Sequence, residues 1–339
     1  MYTSRAERLA CIVMLGLNDA SADLPIVPLL WLQWSVNNSI NWNVALYQMG
    51  FAVQLRPSAY NRMMQDRIKI DLDAVEKTLL IPLWSRAKLS REHAPLLNDT
   101  KAIEIVEKID LDFSTLDTAL RFEGALLNAV RSKQFDDKIQ AYIAEHPRAS
   151  VVNIGAGLDT TFYRVDNGTI HWYDLDLPDV IAIRRQLLPE PDRTTYIAKS
   201  LLDPSWCKDV KTTEDGVFTI AGGVLIWFDE PQVKQFFSLL ADNFPGGEIV
   251  FDAIPELSAL LGKWSLRGSL RGAGIKGARV KWTLKDANKI TKWDTRIKVI
   301  EQFPYFRDIP RNPAWGGRTK RWMDFVDKHK MSNIFHLQV

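Results

Sequence analysis

Gly155-Ala156-Gly157 follows an apolar run, Val151-Val152-Asn153-Ile154, and two acids, Asp174 and Asp176, end the next apolar stretch. Glycines between a strand and a helix let the chain turn tightly and let its backbone approach a ligand closely. Asp176 lies nineteen residues beyond Gly157. An acid about 20 residues past the glycine turn offers two oxygens to the vicinal diol of a ribose. The combination describes a crevice for a nucleoside. A glycine pair of this spacing also suits a bare turn; its place directly after a strand favours a ligand loop. The full dinucleotide pattern has a further glycine at position 160, where this chain has Thr160. That absence moves the expected ligand away from NAD. Asp176 is assigned to the ribose and Asp174 to a structural role, although either could instead cap the helix that starts at Pro178.

The elements that must position these residues are legible around them. Strands are expected at Ser150–Ile154, Ile170–Asp174, Thr195–Ala198, Val217–Ile220 and Glu248–Asp252, with a turn or helix opening at Asp159–Tyr163 and helices at Pro178–Leu188 and Glu230–Asn243. Alternation of this kind implies an α/β fold: a parallel sheet with helices on both faces. Ile297–Phe303 and Asn333–Gln338 read as late strands that close the sheet with an antiparallel edge. Upstream, Asp99 or Thr100 caps a helix through Ile109, and a longer helix covers Leu116–Glu145 until Pro147 stops it. Arg131 lies on that helix and by itself reads as part of a solvated face.

An apolar pattern through Ile68, Ile70, Leu72, Val75, Leu79, Leu80 and Leu83 suggests that the folded domain begins near Met63 and runs to 339. Residues 1–62 have no sustained period and are expected to be a loosely packed extension, or the product of an upstream start. Segment 262–293 breaks the alternation with glycines, basic residues and tryptophans. It is expected to be an insertion over the sheet, acting as a lid whose Trp264, Arg267, Arg271 and Trp282 attract an acidic or aromatic acceptor; a solvated loop is the other reading.

Composition narrows the function classes. A formal net charge of +2 over 339 residues makes no electrostatic case for nucleic acid. No apolar run reaches the roughly 20 residues of a membrane helix; Leu24–Trp34 comes nearest and is broken by Pro25 and Pro28. Ala10–Leu17 resembles a signal-peptide core only weakly. Two cysteines, Cys11 and Cys207, make no disulfide framework, so a reduced, cytoplasmic setting is expected, with Cys207 a packing residue. His93, His146, His171, His329 and His336 sit in no base motif. No catalytic base and no metal are called for, and the oligomeric state stays open.

Residues 76–339 resemble the leucine carboxyl methyltransferase superfamily, in particular its polyketide O-methyltransferase-like branch. The matches run in order: Lys77-Thr78-Leu79-Leu80-Ile81-Pro82-Leu83-Trp84-Ser85-Arg86-Ala87, Leu96-Leu97-Asn98-Asp99, Arg131 with Asp136-Asp137, Val152 to Thr160, Trp172 to Pro178, Gly222-Gly223-Val224-Leu225-Ile226-Trp227, and Phe251-Asp252. The resemblance implies a Rossmann-like class I methyltransferase: a seven-stranded, mostly parallel sheet, a helical N-terminal cover and S-adenosylmethionine as cofactor. It places Arg131 on the methionine carboxylate, Gly155, Ala156 and Gly157 along methionine and ribose, and Asp176 on the ribose diol. Ser200 and Leu201 border the adenine, and Gly222 and Gly223 lie beneath the cofactor. One departure stands out: leucine carboxyl methyltransferases carry a glutamate where this chain has Gly222, so an oxygen contact to the cofactor's amino group is lost or supplied elsewhere. The implied reaction is methyl transfer to a carboxylate or phenolic oxygen of a small molecule. A carboxylate of pKa about 4 needs no base, whereas a phenol of pKa about 10 profits from one. The alternatives are methylation of a protein C-terminus and a non-catalytic cofactor-binding or interaction protein.

Overall fold

Val151, Val152 and Ile154 make Ser150–Ile154 a strand, β1, that is buried along its whole length. A central parallel strand covered on both faces must be. The computed structural model describes residues 67–70, 76–92, 95–260 and 279–339. The expected boundary at 62/63 falls outside them; residues 68–339 form one compact unit.

Among the described residues, three α-helices precede β1: α1 (Leu80–Ser90), α2 (Thr100–Lys108) and α3 (Ser114–Glu145). Asp99 caps α2 by accepting from the Ala102 amide at 2.9 Å. Within α3, Arg121 has φ 55°, which divides the run into two helices at a kink. After β1 come α4 (Phe162–Val165), β2 (His171–Asp176), α5 (Pro178–Leu187) and β3 (Thr194–Ala198). β4 (Val217–Ala221), α6 (Glu230–Asn243), β5 (Glu248–Ala253), α7 (Asn288–Thr291), β6 (Lys298–Pro304), α8 (Gly317–Lys328) and β7 (Asn333–Gln338) complete the described chain. Ile68 bridges to Ile109, and after residues 71–75 the described chain resumes with a 3-10 turn at Glu76–Leu79.

The sheet has seven strands in the order β3-β2-β1-β4-β5-β7-β6. β1 to β5 are parallel, and β7 runs antiparallel between β5 and β6. The antiparallel strand therefore lies inside the sheet, with β6 as the edge. Chain order reverses between β1 and β4, and a crevice opens beyond the carboxyl ends of strands at such a point. Gly155 follows β1 there and Gly222 follows β4.

Alternation along the strands builds two core layers. Val152, Ile154 and Ile249 pack with Val233, Phe236, Phe237 and Leu240 of α6. Val151, Phe218 and Val250 pack on the other face with Leu126, Val130 and Ile139 of α3. A third cluster joins Leu80, Leu83, Ala102 and Ile105 of the N-terminal helices to Leu158 and to Ile183 and Leu187 of α5, which lays the cover beside the glycine loop.

Trp282 is not a lid residue. It is 2 % exposed, and its ring lies 6.3 Å from Phe251 and 6.4 Å from Trp293 in the core. The returning chain docks there through the Lys281 amide on the Ile226 carbonyl (2.8 Å) and the Leu284 amide on the Ile254 carbonyl (3.0 Å). Burying so large an apolar ring outweighs presenting it to a ligand. Trp264, Arg267 and Arg271 lie outside the described residues.

Candidate functional site

The glycine loop is held from below. The amides of Gly155 and Ala156 both donate to the Leu175 carbonyl, at 2.8 and 3.1 Å. Gly155 has φ +64° and Gly157 φ +48°, and a Cβ on Gly155 would lie 2.4 Å from Val224 Cγ2. Glycine is required at both positions, for conformation and for space. Asp176 Oδ2 accepts from the Gly157 amide at 2.8 Å, and its Oδ1 accepts from the Leu177 amide at 2.7 Å. Burial pushes its carboxyl above the usual range, against these two donors. A half-buried carboxylate at that spot has lone pairs left for hydroxyl donors, which is the demand a ribose diol meets.

Asp174 is structural, as expected. It is 1 % exposed and accepts from Trp172 Nε1 (2.9 Å), Asn153 Nδ2 (2.9 Å) and Arg184 Nη2 (2.6 Å).

The residue that replaces the missing glycine turns inward. Thr160 is fully buried, and its hydroxyl donates to Asp99 Oδ2 at 2.6 Å. The same oxygen accepts from Arg86 Nε (2.9 Å) and Arg164 Nη1 (2.6 Å). Arg164 forks onto both oxygens of Asp136, at 2.7 and 2.9 Å. Arg86 Nη2 donates to the Leu158 carbonyl at 2.9 Å, and Arg184 Nη1 donates to the Gly157 and Asp159 carbonyls at 3.0 and 2.8 Å. Burial acts to raise the Asp159 carboxyl, but Arg86, Arg164 and Arg184 outweigh it and hold it down at about 2. This buried charge network fixes the outer half of the loop to α1, α2 and α5. Pairing on this scale is what allows the charges to be buried at all.

On the other side of the crevice, α3 carries Arg131 over Gly222 and Gly223. A Cβ on Gly223 would fall 2.6 Å from Arg131 Nη1, and one on Gly222 would fall 3.1 Å from Phe135 Cε2. Phe135 and Arg131 thus fill the space that a side chain at 222 would need. Arg131 Nη1 lies 3.5 Å from Asp252 Oδ2. Burial disfavours its charge, but Asp252 and Tyr305 outweigh burial and hold the guanidinium above its usual range. Asp252 in turn accepts from the Gly223 amide and from the Tyr305 hydroxyl, each at 2.5 Å.

Ser200 and Leu201 follow β3, whose Ala198 pairs with Asp176, so they lie just beyond that acid at the strand ends. Leu201 is buried, and the half-buried Ser200 hydroxyl accepts from the Leu202 amide at 3.2 Å. The structure therefore brings Arg131, Gly155, Ala156, Gly157, Asp176, Ser200, Leu201, Gly222 and Gly223 to one end of the sheet. Burial pushes the Cys207 thiol up to about 11, which leaves it a poor nucleophile. His336 meets Glu248 at 2.6 Å near the start of β5, His146 stacks on Tyr142 before β1, and His329 packs on Phe325.

Residues 80–239 match the leucine carboxyl methyltransferase family. Over 260 residues the chain is 30% identical to the tetracenomycin polyketide synthesis O-methyltransferase TcmP of Streptomyces glaucescens, covering 74% of this chain and 93% of that protein. The chain belongs to the leucine carboxyl methyltransferase family. It is an S-adenosylmethionine-dependent methyltransferase. A second relative is an S-adenosyl-L-methionine-dependent methyltransferase of Gibberella zeae, 26% identical, with 74% of this chain and 89% of that protein covered. Among solved structures, magnesium protoporphyrin IX methyltransferase from Synechocystis with bound SAH aligns at a TM-score of 0.41 and 14% identity, covering 67% of this chain and 93% of that one.

Arg86, Asp136, Arg164, Arg184, Asp252 and Tyr305 belong to the site's framework but have no role in the sequence reading, and Asp99 has only that of a helix cap. The available signal was the Asp99 cap: an acid that caps one helix and lies fully buried needs further donors.

Proposed function

We propose that this methyltransferase acts on an oxygen of a small, polyketide-like molecule. The observation that carries the proposal is the likeness to TcmP, an O-methyltransferase by name, which this chain matches over 93% of its length. The crevice fits the cofactor. Asp176 suits a ribose diol and Arg131 a carboxylate, while Thr160 closes the position where a pyrophosphate would need bare backbone. When bound, the cofactor supplies a methyl group already activated on sulfonium. The chain's own part is alignment. Asp176 fixes the ribose, Arg131 fixes the amino-acid end, and the glycine loop sets the height of both above the strands, so that an acceptor oxygen approaches in line.

The acceptor we favour is a carboxylate. His146 and His171 precede β1 and β2 or open them, and His336 pairs with Glu248 at the far end. Tyr305 is held as a donor to Asp252, its hydroxyl pushed well above the usual range by burial, so it is no base at neutral pH. An already ionised acceptor needs none.

The test is transfer of labelled methyl from S-adenosylmethionine to a panel of aromatic and polyketide-like carboxylic acids, the matching phenols, amines and peptides with free C-termini. Base-labile methyl esters of small acids are expected. Preference for the peptides, or product only on nitrogen, overturns the proposal.

A further inference from the structure

The amino-acid end of any such cofactor carries an ammonium and a carboxylate on one carbon. A site for it needs a cation and an anion side by side, shielded from water and not consumed by each other. The carboxyl ends of β4 and β5 hold such a pair. Ala221 of β4 pairs with Phe251 of β5, so Gly222 and Asp252 stand next to each other at the strand ends. Arg131 reaches across the bare Gly223 to within 3.5 Å of Asp252 Oδ2, and the two side chains are only 15% and 6% exposed. That distance is well beyond the roughly 2.7–2.9 Å of a closed charge-assisted bond. Elsewhere in the same fold, Arg164 and Asp136 do close, at 2.7 Å. Arg86 and Asp159 also stand 3.5 Å apart, but there the Leu158 carbonyl and Asp99 take up Arg86 as well.

Asp252 is also aimed. The Gly223 amide holds Oδ1 and the Tyr305 hydroxyl holds Oδ2. A carboxylate has about four lone-pair sites, so these contacts fix its plane and leave capacity for another donor. Arg131, with five N–H donors, meets Asn128 Oδ1 at 3.4 Å and also faces Asp252 and the Tyr305 hydroxyl, which still leaves donors for a carboxylate. Phe135 and Arg131 occupy the room at Gly222, so an anion at this corner has to come from the neighbouring strand.

We propose that Asp252 is a binding residue for the α-ammonium group of the cofactor, beside Arg131 on the α-carboxylate, with Tyr305 and the Gly223 amide as its positioning groups. The assignment rests on the crevice being an S-adenosylmethionine site. It makes the corner a reader of the zwitterion, so that both charges of the amino acid are recognised.

The test needs no turnover. Wild type, Asp252→Asn and Tyr305→Phe are titrated calorimetrically with S-adenosylhomocysteine and with its analogue lacking the α-amino group. Wild type should prefer the amino-bearing ligand by about 10- to 100-fold, the size of one hydrogen-bonded charge contact. Asp252→Asn should lose most of that preference by weakening only the amino-bearing ligand. Tyr305→Phe, which keeps the carboxylate and loosens it, should lose about threefold to tenfold of it. Thermal melting of each variant reports folding, and Tyr305→Phe decides the matter if Asp252→Asn does not fold. Equal weakening of both ligands, or an undiminished preference, overturns the assignment while leaving the cofactor site intact. Failure of wild type to bind S-adenosylhomocysteine overturns the cofactor site itself, and the assignment with it.

Discussion

Replacing Thr160 by valine keeps the shape of the side chain and removes only its hydroxyl. That hydroxyl is fully buried, donates to Asp99 Oδ2 at 2.6 Å and accepts from Arg164 Nη1 at 3.0 Å. Hydrogen bonds to charged partners contribute about 1.5–3 kcal/mol each, and a buried charge that loses a partner keeps its desolvation cost. Asp99 still has both arginines, so the loss is expected to be about 3 kcal/mol and not the sum of two full bonds. For a domain of this size 1 kcal/mol moves the midpoint by roughly 2–4 °C, so Thr160→Val should melt about 6–12 °C lower. Thr160→Ser keeps the hydroxyl and loses one methyl, about 1 kcal/mol. Thr160→Gly restores the dinucleotide spacing, should fall further than valine through added chain freedom, and should gain no affinity for NAD. The assay is scanning calorimetry with urea unfolding as a second measure. A valine variant within about 0.5 kcal/mol of wild type, or a serine variant as unstable as valine, refutes the role given to the buried hydroxyl.

Asp159→Asn should show a pH-dependent deficit. The folded carboxyl, at about 2, lies below its unfolded value near 3.9, so its contribution is present above pH ~4 and is lost as pH falls through 2. Urea unfolding should give a deficit of about 2 kcal/mol at pH 6 that closes between pH ~4 and ~2; a deficit that stays constant with pH contradicts the pairing with Arg86, Arg164 and Arg184. Gly223→Ala puts a methyl 2.6 Å from Arg131 Nη1 at φ +73°, so cofactor affinity measured by titration should fall at least about tenfold. Trp282→Ala should cost about 3–5 kcal/mol of stability in a thermal melt, as a core residue does. A selective rise in acceptor KM with stability unchanged would return it to a lid.

Much of the sheet was legible because its strands are short apolar runs bounded by Gly, Pro or Asp. Ser150–Ile154 and Asn333–Gln338 fall where their patterns put them. The place of β7 between β5 and β6 was not, since strand order is set by tertiary pairing that no local period records. Helix α8 was missed because only Thr319, Met323 and Val326 of its twelve residues are buried, too narrow a stripe to stand out among charges. At the site, Gly155 and Gly157 could be read because a turn at positive φ demands glycine, and Asp176 because it ends the next strand at a fixed distance from that turn. The network around Asp99 could not. Its partners Thr160 and Arg164 are 61 and 65 residues away, and isolated arginines read as solvated helix faces until the fold buries them. Trp282 was misplaced by its company: basic and glycine-rich neighbours suggested a surface, and the packing on Phe251 is a long-range contact.

The central claim is that the crevice between β1 and β4 holds S-adenosylmethionine through Asp176 on the ribose and Arg131 on the amino-acid end. Calorimetric titration of wild type, Asp176→Ala and Arg131→Ala with S-adenosylmethionine and with NAD tests it most directly. Wild type should bind S-adenosylmethionine and not NAD, and each variant should bind at least about tenfold more weakly while melting as a folded protein. Binding of NAD in place of S-adenosylmethionine, or unchanged affinity in both variants, would contradict it.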